Sequence, residues 1–513
     1  MIIVYHQNAR IINVTSINDQ KIEFNCKKNI ASGLQDIAKQ FPNEKIVWCN
    51  LAVKEQLNLE SIKTLFHHDK MMLSFSSSQH NFFDSTIGYV EESLFINVNK
   101  KVSYPTWQMS SVAGVIHASV LNALKGKIFC YSNFDYYLSS IAKIGMPLGL
   151  LCYSEPRLLK PGEFKYTPNA SIYSLFRFVK QHYRTRWVFL LFLNIGLYER
   201  RFPILAFLFS LFYKKRCDAT IDLDYLKVQS SMNVIDKATV DVIIPTIGRK
   251  DYLFDVLKDF SKQTLLPIKI IIVEQNPEES SKSELDYIYE EKWPFKIEHF
   301  FIHQTGACNA RNLALKQITS EWVFFADDDI RISELFIEKT FESINKYCAK
   351  AVSSSCLQKG EKQFFKNVFQ WGSFGSGCSF VAAASLKDCK FEMGYEFGFG
   401  EDSDFGMQLR NKGCDVLYLP EAEILHLKAS IGGFRTKPVL LWQNDPIQPK
   451  PSPTVMLYII SHNTQEQLKG YKTTLFFKFY KHQNIKKPYR YFKMFEKQWN
   501  QSLFWANQLK KTS

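Results

Sequence analysis

From residue 239 onward the chain alternates apolar runs with stretches of helical spacing, and this alternation restricts its fold more than any other feature. Residues 240–244 are apolar apart from Asp241 and stop at Pro245. Residues 251–263 have helical spacing, 268–273 are apolar apart from Lys269, 310–318 are helical again, and 322–326 are wholly apolar. Near-continuous apolar strands separated by helices predict a mostly parallel sheet covered on both faces, because a strand with one wet face would alternate polar and apolar residues. Ligands on such sheets bind beyond the carboxyl ends of the strands. Those ends carry Thr246 and Arg249, then Glu274, then Asp327-Asp328-Asp329, so polar groups converge on one edge.

The last of these ends is the most telling. Three adjacent carboxylates at the tip of a buried strand repel one another, and a divalent cation carrying a phosphorylated ligand would neutralise them. Asp oxygens suit hard ions such as Mg2+ and Mn2+. Taken alone, the run also reads as a strand followed by an Asp-rich turn.

At 513 residues the chain exceeds the roughly 250–300 at which one core stops growing, so several domains are expected. The hydrophobic share of 46% supplies material for those cores, and the net charge of +14 favours phosphorylated substrates and anionic membrane surfaces as partners. The eleven cysteines are dispersed from Cys26 to Cys414 without a CxxC pair, the pattern of inert thiols in a reducing compartment. The first residues lack a basic stretch leading into a long apolar run, so no signal peptide is read and the cytoplasm is the expected location.

No run reaches the roughly 18–20 apolar residues of a spanning helix. The nearest, 187–197 and 202–212, are separated by Tyr198-Glu199-Arg200-Arg201, and the second is followed by Tyr213-Lys214-Lys215-Arg216. The pair reads either as core helices or as an element lying on the inner face of the membrane. Residues 471–498 hold eight Lys/Arg against the single acid Glu496, interleaved with aromatics. That segment reads as an anion-binding surface or as a solvated helix packed by its aromatic side.

A change of pattern near 218–238 divides the chain. Residues 1–220 form an α/β domain with short strands at 46–49 and 148–153; 221–238 form a linker; 239–436 form the strand–helix domain; 437–513 form a basic, aromatic, helical segment. Asp222 and Asp224 have DxD spacing but no apolar run leads into them, so they are read as solvated linker residues.

Four blocks within ~239–436 resemble family-2 glycosyltransferases of the GT-A fold, in the family's order. They are Val242-Ile243-Ile244-Pro245-Thr246-Ile247-Gly248-Arg249; Gly306-Ala307-Cys308-Asn309-Ala310-Arg311-Asn312; Phe325-Ala326-Asp327-Asp328-Asp329; and Gly398-Phe399-Gly400-Glu401-Asp402-Ser403-Asp404-Phe405. The resemblance implies a Rossmann-like sheet and inverting transfer of a sugar from a nucleotide-sugar donor, UDP-sugar favoured, to a glycan or glycolipid acceptor. Mn2+ or Mg2+ is the implied cofactor, and no nucleic acid is expected as a partner. Asp327 and Asp329 match the metal-binding positions, and His426 stands where the family often adds a ligand. Thr246, Arg249, Glu274, Arg311 and Asp328 fall on the donor side. Glu274 replaces the family's usual Asp, which favours uridine without securing it.

Sugar transfer also needs a base for the acceptor hydroxyl. Asp402 matches that role, with Glu401 orienting the acceptor, since adjacent carboxylates raise one another's pKa. Acids favoured by a helix N-terminus are the plainer reading of the pair. Trp371, Gly375 and Gly377 are assigned to the acceptor pocket. Residues 147–156 and the aromatic helices after them faintly resemble the close of a second, degenerate GT-A-like domain. Two further readings are weighed: a non-catalytic sugar-nucleotide-binding or membrane scaffold in glycan assembly, and a haloacid-dehalogenase-type phosphatase. The second is disfavoured because Arg331 stands where its motif wants Thr or Val.

Overall fold

Short apolar segments in the first half pair into a sheet although few of them announce themselves in sequence. The strands are β1 (Ile2–Gln7), β2 (Arg10–Ser16), β3 (Lys45–Asn50), β4 (Met71–Ser74), β5 (Tyr104–Pro105), β6 (Ala113–His117) and β7 (Leu151–Ser154). They lie in the order β2-β1-β3-β6-β4-β7-β5. These coordinates are a computed structural model, which describes residues 1–512 except 25–27, 77–80, 131–132, 163–168, 218–219 and 431–438. Cys26, and the expected domain end at 436, lie outside the described residues. The chain falls into two units, Met1–Met232 with Asn463–Phe479, and Asn233–His462 with Tyr480–Ser513.

In the first unit, helices such as Ile30–Gln40 and Phe134–Gly145 bury Leu34, Ile37, Tyr137 and Ile141 in a core with Trp48 and Phe178. The stretch expected to be a solvated linker behaves otherwise. Asp222 and Asp224 are exposed, but Ile221, Leu223 and Leu226 are buried in this core, and Lys70 reaches Asp224 at 3.3 Å.

The second unit holds β8 (Val240–Thr246), β9 (Lys269–Gln275), β10 (Lys296–Ile302), β11 (Trp322–Ala326), β12 (Ile330–Ile332), β13 (Ala351–Gln358), β14 (Phe369–Gln370), β15 (Cys378–Ala382) and β16 (Val416–His426). Their order is β10-β9-β8-β11-β15-β13-β16-β12, with β14 beside β16. The run β10-β9-β8-β11 is parallel, as is β13 with β16, whereas β15 enters antiparallel to both β11 and β13. This is the mixed α/β architecture of a GT-A fold.

The two polar interruptions in the apolar strands are satisfied inside the structure. Asp241 is fully buried and accepts from the N–H groups of Thr319 and Ser320 and the Ser320 hydroxyl, at 2.7, 3.0 and 2.6 Å. Lys269 donates to the Gln317 carbonyl and pairs with Glu298. Without those partners each would carry the desolvation cost of an unpaired buried group. Pro245 lies within β8 and does not end it. β11 is wholly buried, with Phe324 stacked on Phe380 at 4.3 Å, and each such ring contributes about 1.5–3 kcal/mol by burial. This packing fixes the strand whose end carries the three carboxylates.

The segment 437–513 does not form one body. Residues 463–479 belong to the first unit, while the helix Pro453–His462 and the long helix Pro488–Thr512 belong to the second. The long helix buries Tyr491, Phe495, Trp499, Ser502 and Ala506, a helical stripe that leaves most of its basic residues outside.

Candidate active site

Strand register sets the geometry around Asp327, Asp328 and Asp329. Thr246 and Glu274 are ladder partners at the ends of β8 and β9. Ile330 pairs with His426, which brings the imidazole beside the residue preceding Ile330. His426 Nε2 lies 3.2 Å from Asp329 Oδ1, and the Ala429 N–H donates to Asp329 Oδ2 at 2.8 Å. Asp327, Asp329 and His426 each offer a ligand atom within 4.8 Å of the others, the one such grouping found among the described residues.

The three carboxylates have different surroundings. Asp328 turns inward and accepts from Thr246 Oγ1 at 2.7 Å and Arg249 Nη1 at 2.6 Å. Arg249 also lies 3.4 Å from Asp329. Burial favours the neutral form of Asp329, yet bonds from His426 and Ala429 and the Arg249 charge outweigh it and hold the carboxyl below its ordinary range. Asp327 is the most exposed and accepts from Arg311 Nη2 at 3.1 Å. Arg311 is buried in the helix Ala307–Leu315 and is held charged by Asp327 and Asp402 against its own burial.

That helix is placed by a residue the sequence reading passed over. Glu396 accepts from the Cys308 and Asn309 N–H groups at 3.1 and 2.8 Å, capping its first turn. Gly306 is required there, since its φ is +135° and a β-carbon would stand 2.3 Å from the Glu396 carboxyl.

Glu401 and Asp402 open the helix Glu401–Asn411 after Gly400, whose φ is +121°. Asp402 Oδ1 accepts from the Ser376 N–H at 3.2 Å. Burial raises the Asp402 pKa and the Arg311 charge restrains it. Burial, followed by the Asp402 charge, pushes the Glu401 carboxyl up to about 7, and its buried Oε2 has no hydrogen-bond partner. Asp404 anchors the helix through His462 Nε2 at 2.6 Å, Gln408 at 2.7 Å and the Tyr395 hydroxyl at 3.3 Å. The acidic spacing hinted at Asp404, but nothing in sequence pointed to His462.

Thr246, Arg249, Asp327, Asp328, Asp329, His426, Arg311 and Asp402 thus form one connected set. Gly377 belongs to it too, for its backbone passes so close to Asp327 that a β-carbon would meet Oδ2 at 2.1 Å. Glu274 stands apart, engaged by Ser283 Oγ at 2.6 Å, His299 Nε2 at 2.9 Å and the Glu284 N–H at 3.2 Å. Gly375 donates to Ser379 Oγ at 3.2 Å and braces the loop. Trp371 is not brought to the carboxylates. Its ring packs on Tyr418, Phe369 and Phe365 at 4.9–5.6 Å. Phe399, two residues before Glu401 in sequence, is 69% exposed. Arg331 forms a bidentate pair with Asp259, and its guanidinium is spent on structure.

The family model described as Glycosyl transferase family 2 matches residues 241–392. Among solved structures, S. aureus TarS is 19% identical, with 37% of this chain and 36% of that chain covered and a TM-score of 0.32. TarS 1-349 in complex with UDP-GlcNAc is 18% identical, with 45% and 69% covered and a TM-score of 0.36. The match therefore spans about a third of full TarS. A search of curated proteins gave no match.

Proposed function

We propose that this chain, whose residues 241–392 match the Glycosyl transferase family 2 model, is an inverting, metal-dependent glycosyltransferase. Its donor is a nucleotide sugar, UDP-sugar favoured, and its acceptor a glycan or glycolipid hydroxyl. The observation that carries this reading is the placing of Arg311 between Asp327 of the Asp327–Asp329–His426 group and Asp402. Two carboxylates are donors that suit Mn2+ and Mg2+, His426 adds an imidazole, and the three ligand atoms lie within 4.8 Å of one another. When bound, that ion supplies Lewis-acid neutralisation of the leaving diphosphate.

The chain's own residues do the rest. Arg249 and Arg311 add positive charge on the phosphate side, and Asp328 holds Arg249 in place through its 2.6 Å bond. Asp402 takes the proton of the acceptor hydroxyl as that oxygen bonds to the anomeric carbon and the bond to the diphosphate oxygen breaks. A single displacement of this kind inverts the anomeric centre. Glu401 orients the acceptor, and Phe399 offers its exposed face to a sugar ring. Trp371 packs its ring among Phe365, Phe369 and Tyr418.

The same reading places the protein on an anionic membrane surface. Phe202, Ile204, Leu205, Leu208, Phe209 and Phe212 are 47–85% exposed along one short stretch around the helix Ile204–Leu211. Arg200, Arg201, Lys214 and Lys215 flank it, all exposed. Apolar side chains bounded by cations match the headgroup boundary of an anionic bilayer. No helix among the described residues is long and apolar enough to cross a membrane.

The test is thermal stabilisation of the protein by a panel of nucleotide sugars with Mn2+. A midpoint raised by one donor class, and only with metal, supports the reading. A folded protein stabilised by no donor contradicts it.

A further inference from the structure

The two sheets share a plan that extends to individual hydrogen bonds. In the first unit β1 and β3 are parallel, β6 is antiparallel to β3 and β4, β4 and β7 are parallel, and β5 is antiparallel to β7. In the second unit β8, β11, β15, β13, β16 and β14 repeat those senses in the same chain order. β12, which pairs antiparallel with the end of β16, has its counterpart in the bridge Leu57–Leu159.

Register then matches residue to residue. Cys49 pairs with Ala113 where Ala326 pairs with Cys378. Met72 faces Cys152 where Ala351 faces Val416. The Thr106 N–H donates to the Cys152 carbonyl at 3.0 Å as that of Trp371 does to Val416 at 2.8 Å. Residues 104–117 therefore align without a gap on 369–382. Within that stretch the Ser110 N–H donates to Ser74 Oγ at 3.1 Å, as Gly375 does to Ser353 Oγ at 3.4 Å. Ser111 falls on Ser376. Its N–H and Oγ donate to Asp135 at 2.7 and 2.9 Å. Asp135 is the second residue of the helix Phe134–Gly145, as Asp402 is of Glu401–Asn411.

The differences are as ordered as the matches. Asn50, Leu51 and Ala52 stand at the positions of Asp327, Asp328 and Asp329. Val112 takes the place of Gly377, where a β-carbon would collide with Asp327, and the Asn50 N–H donates to the Val112 carbonyl at 2.8 Å. Between β1 and β3 the described residues hold an antiparallel strand, β2, and a helix, in place of the parallel pair β9 and β10 that carries Glu274. Asp135 itself is 4% exposed.

We infer that the first unit is a duplicated transferase fold that has lost its metal and nucleotide positions and kept a closed acceptor-side frame, leaving one donor site per chain. Such a chain binds one donor at a time, whereas two working copies would bind two. Asp135 is the counterpart of the base, retained as a structural carboxylate that ties the helix start to the loop before β6.

The inference rests on the transferase reading of the second unit, and binding stoichiometry separates the two. Equilibrium dialysis of the full chain with Mn2+ and UDP should give one UDP per chain, lost in Asp329→Ala. Two per chain would overturn the inference alone, and none would overturn it together with the transferase reading. UDP-sugar hydrolysis by Asp135→Asn should stay within twofold of wild type while its thermal midpoint shifts. Loss of turnover in the folded variant would overturn the inference. Should Asp135→Asn not fold, Ser111→Ala, which removes one of the two donors to Asp135, gives the same readout.

Discussion

A β-carbon added to Gly377 would stand 2.1 Å from Asp327 Oδ2, closer than any unbonded contact permits. The loop before β15 and the acid after β11 are thus fitted to each other, at one side of the Asp327–Asp329–His426 group. Gly377→Ala must move Asp327. We expect Mn2+ affinity to fall by about 10–100-fold, the size of effect seen when a ligand's support is altered. Titration with Mn2+ against a fluorescent competitor checks this, and the overall fold should persist by circular dichroism.

Glu401 predicts a pH dependence whose sign is fixed. Its folded pKa is about 7 against an ordinary 4.5, raised by burial and by Asp402. Between those values the folded protein binds more protons than the unfolded chain, so stability falls as pH rises across that window. Denaturation midpoints at pH 5 and pH 8 should differ less in Glu401→Gln than in wild type. The limb of kcat/KM near pH 7 should vanish in the same variant.

Asp328 is predicted to matter for stability as well as for the donor. Its two oxygens are taken by Thr246 and Arg249 inside the domain. Asp328→Ala leaves the Thr246 hydroxyl without this acceptor and takes from Arg249 its 2.6 Å partner, and should cost roughly 3–5 kcal/mol, the range for breaking a buried pair. Thr246→Val removes one neutral donor and should cost about 1–3 kcal/mol. Urea denaturation of the two variants ranks them.

Leu205→Asp with Phe209→Asp should abolish co-sedimentation with anionic vesicles at low salt, while wild type binds and is released at high salt as its flanking cations are screened. Equal binding by the double variant would move the docking surface elsewhere, the basic face of Pro488–Thr512 being the next candidate.

How much of this was legible in sequence differs between the two units. Residues 242–245, 270–273 and 322–326 are apolar throughout and almost wholly buried, so their strands show plainly in sequence. β6, with Ala113-Gly114-Val115-Ile116-His117, and β5, only two residues long, owe their pairing to neighbours far along the chain, and propensity alone does not reveal them. Of the first sheet, only the strands near 46–49 and 148–153 show in sequence, and the second lies at Leu151–Ser154. In the site, the acids were visible as acids, but their division of labour was not. Asp328 turns inward because Thr246 and Arg249 lie across the sheet edge, and that depends on register. The ring that makes Trp371 a candidate in sequence is engaged by three aromatic neighbours from the β13–β16 region.

Metal-dependent hydrolysis of UDP-sugars by wild type, Asp329→Ala and Asp402→Asn tests the central claim most directly. Turnover of one donor that needs Mn2+ or Mg2+, disappears in Asp329→Ala, and falls by about 10²–10⁴ in Asp402→Asn with donor binding intact is the expected result. Turnover that survives both substitutions in folded protein would contradict the assignment of the site.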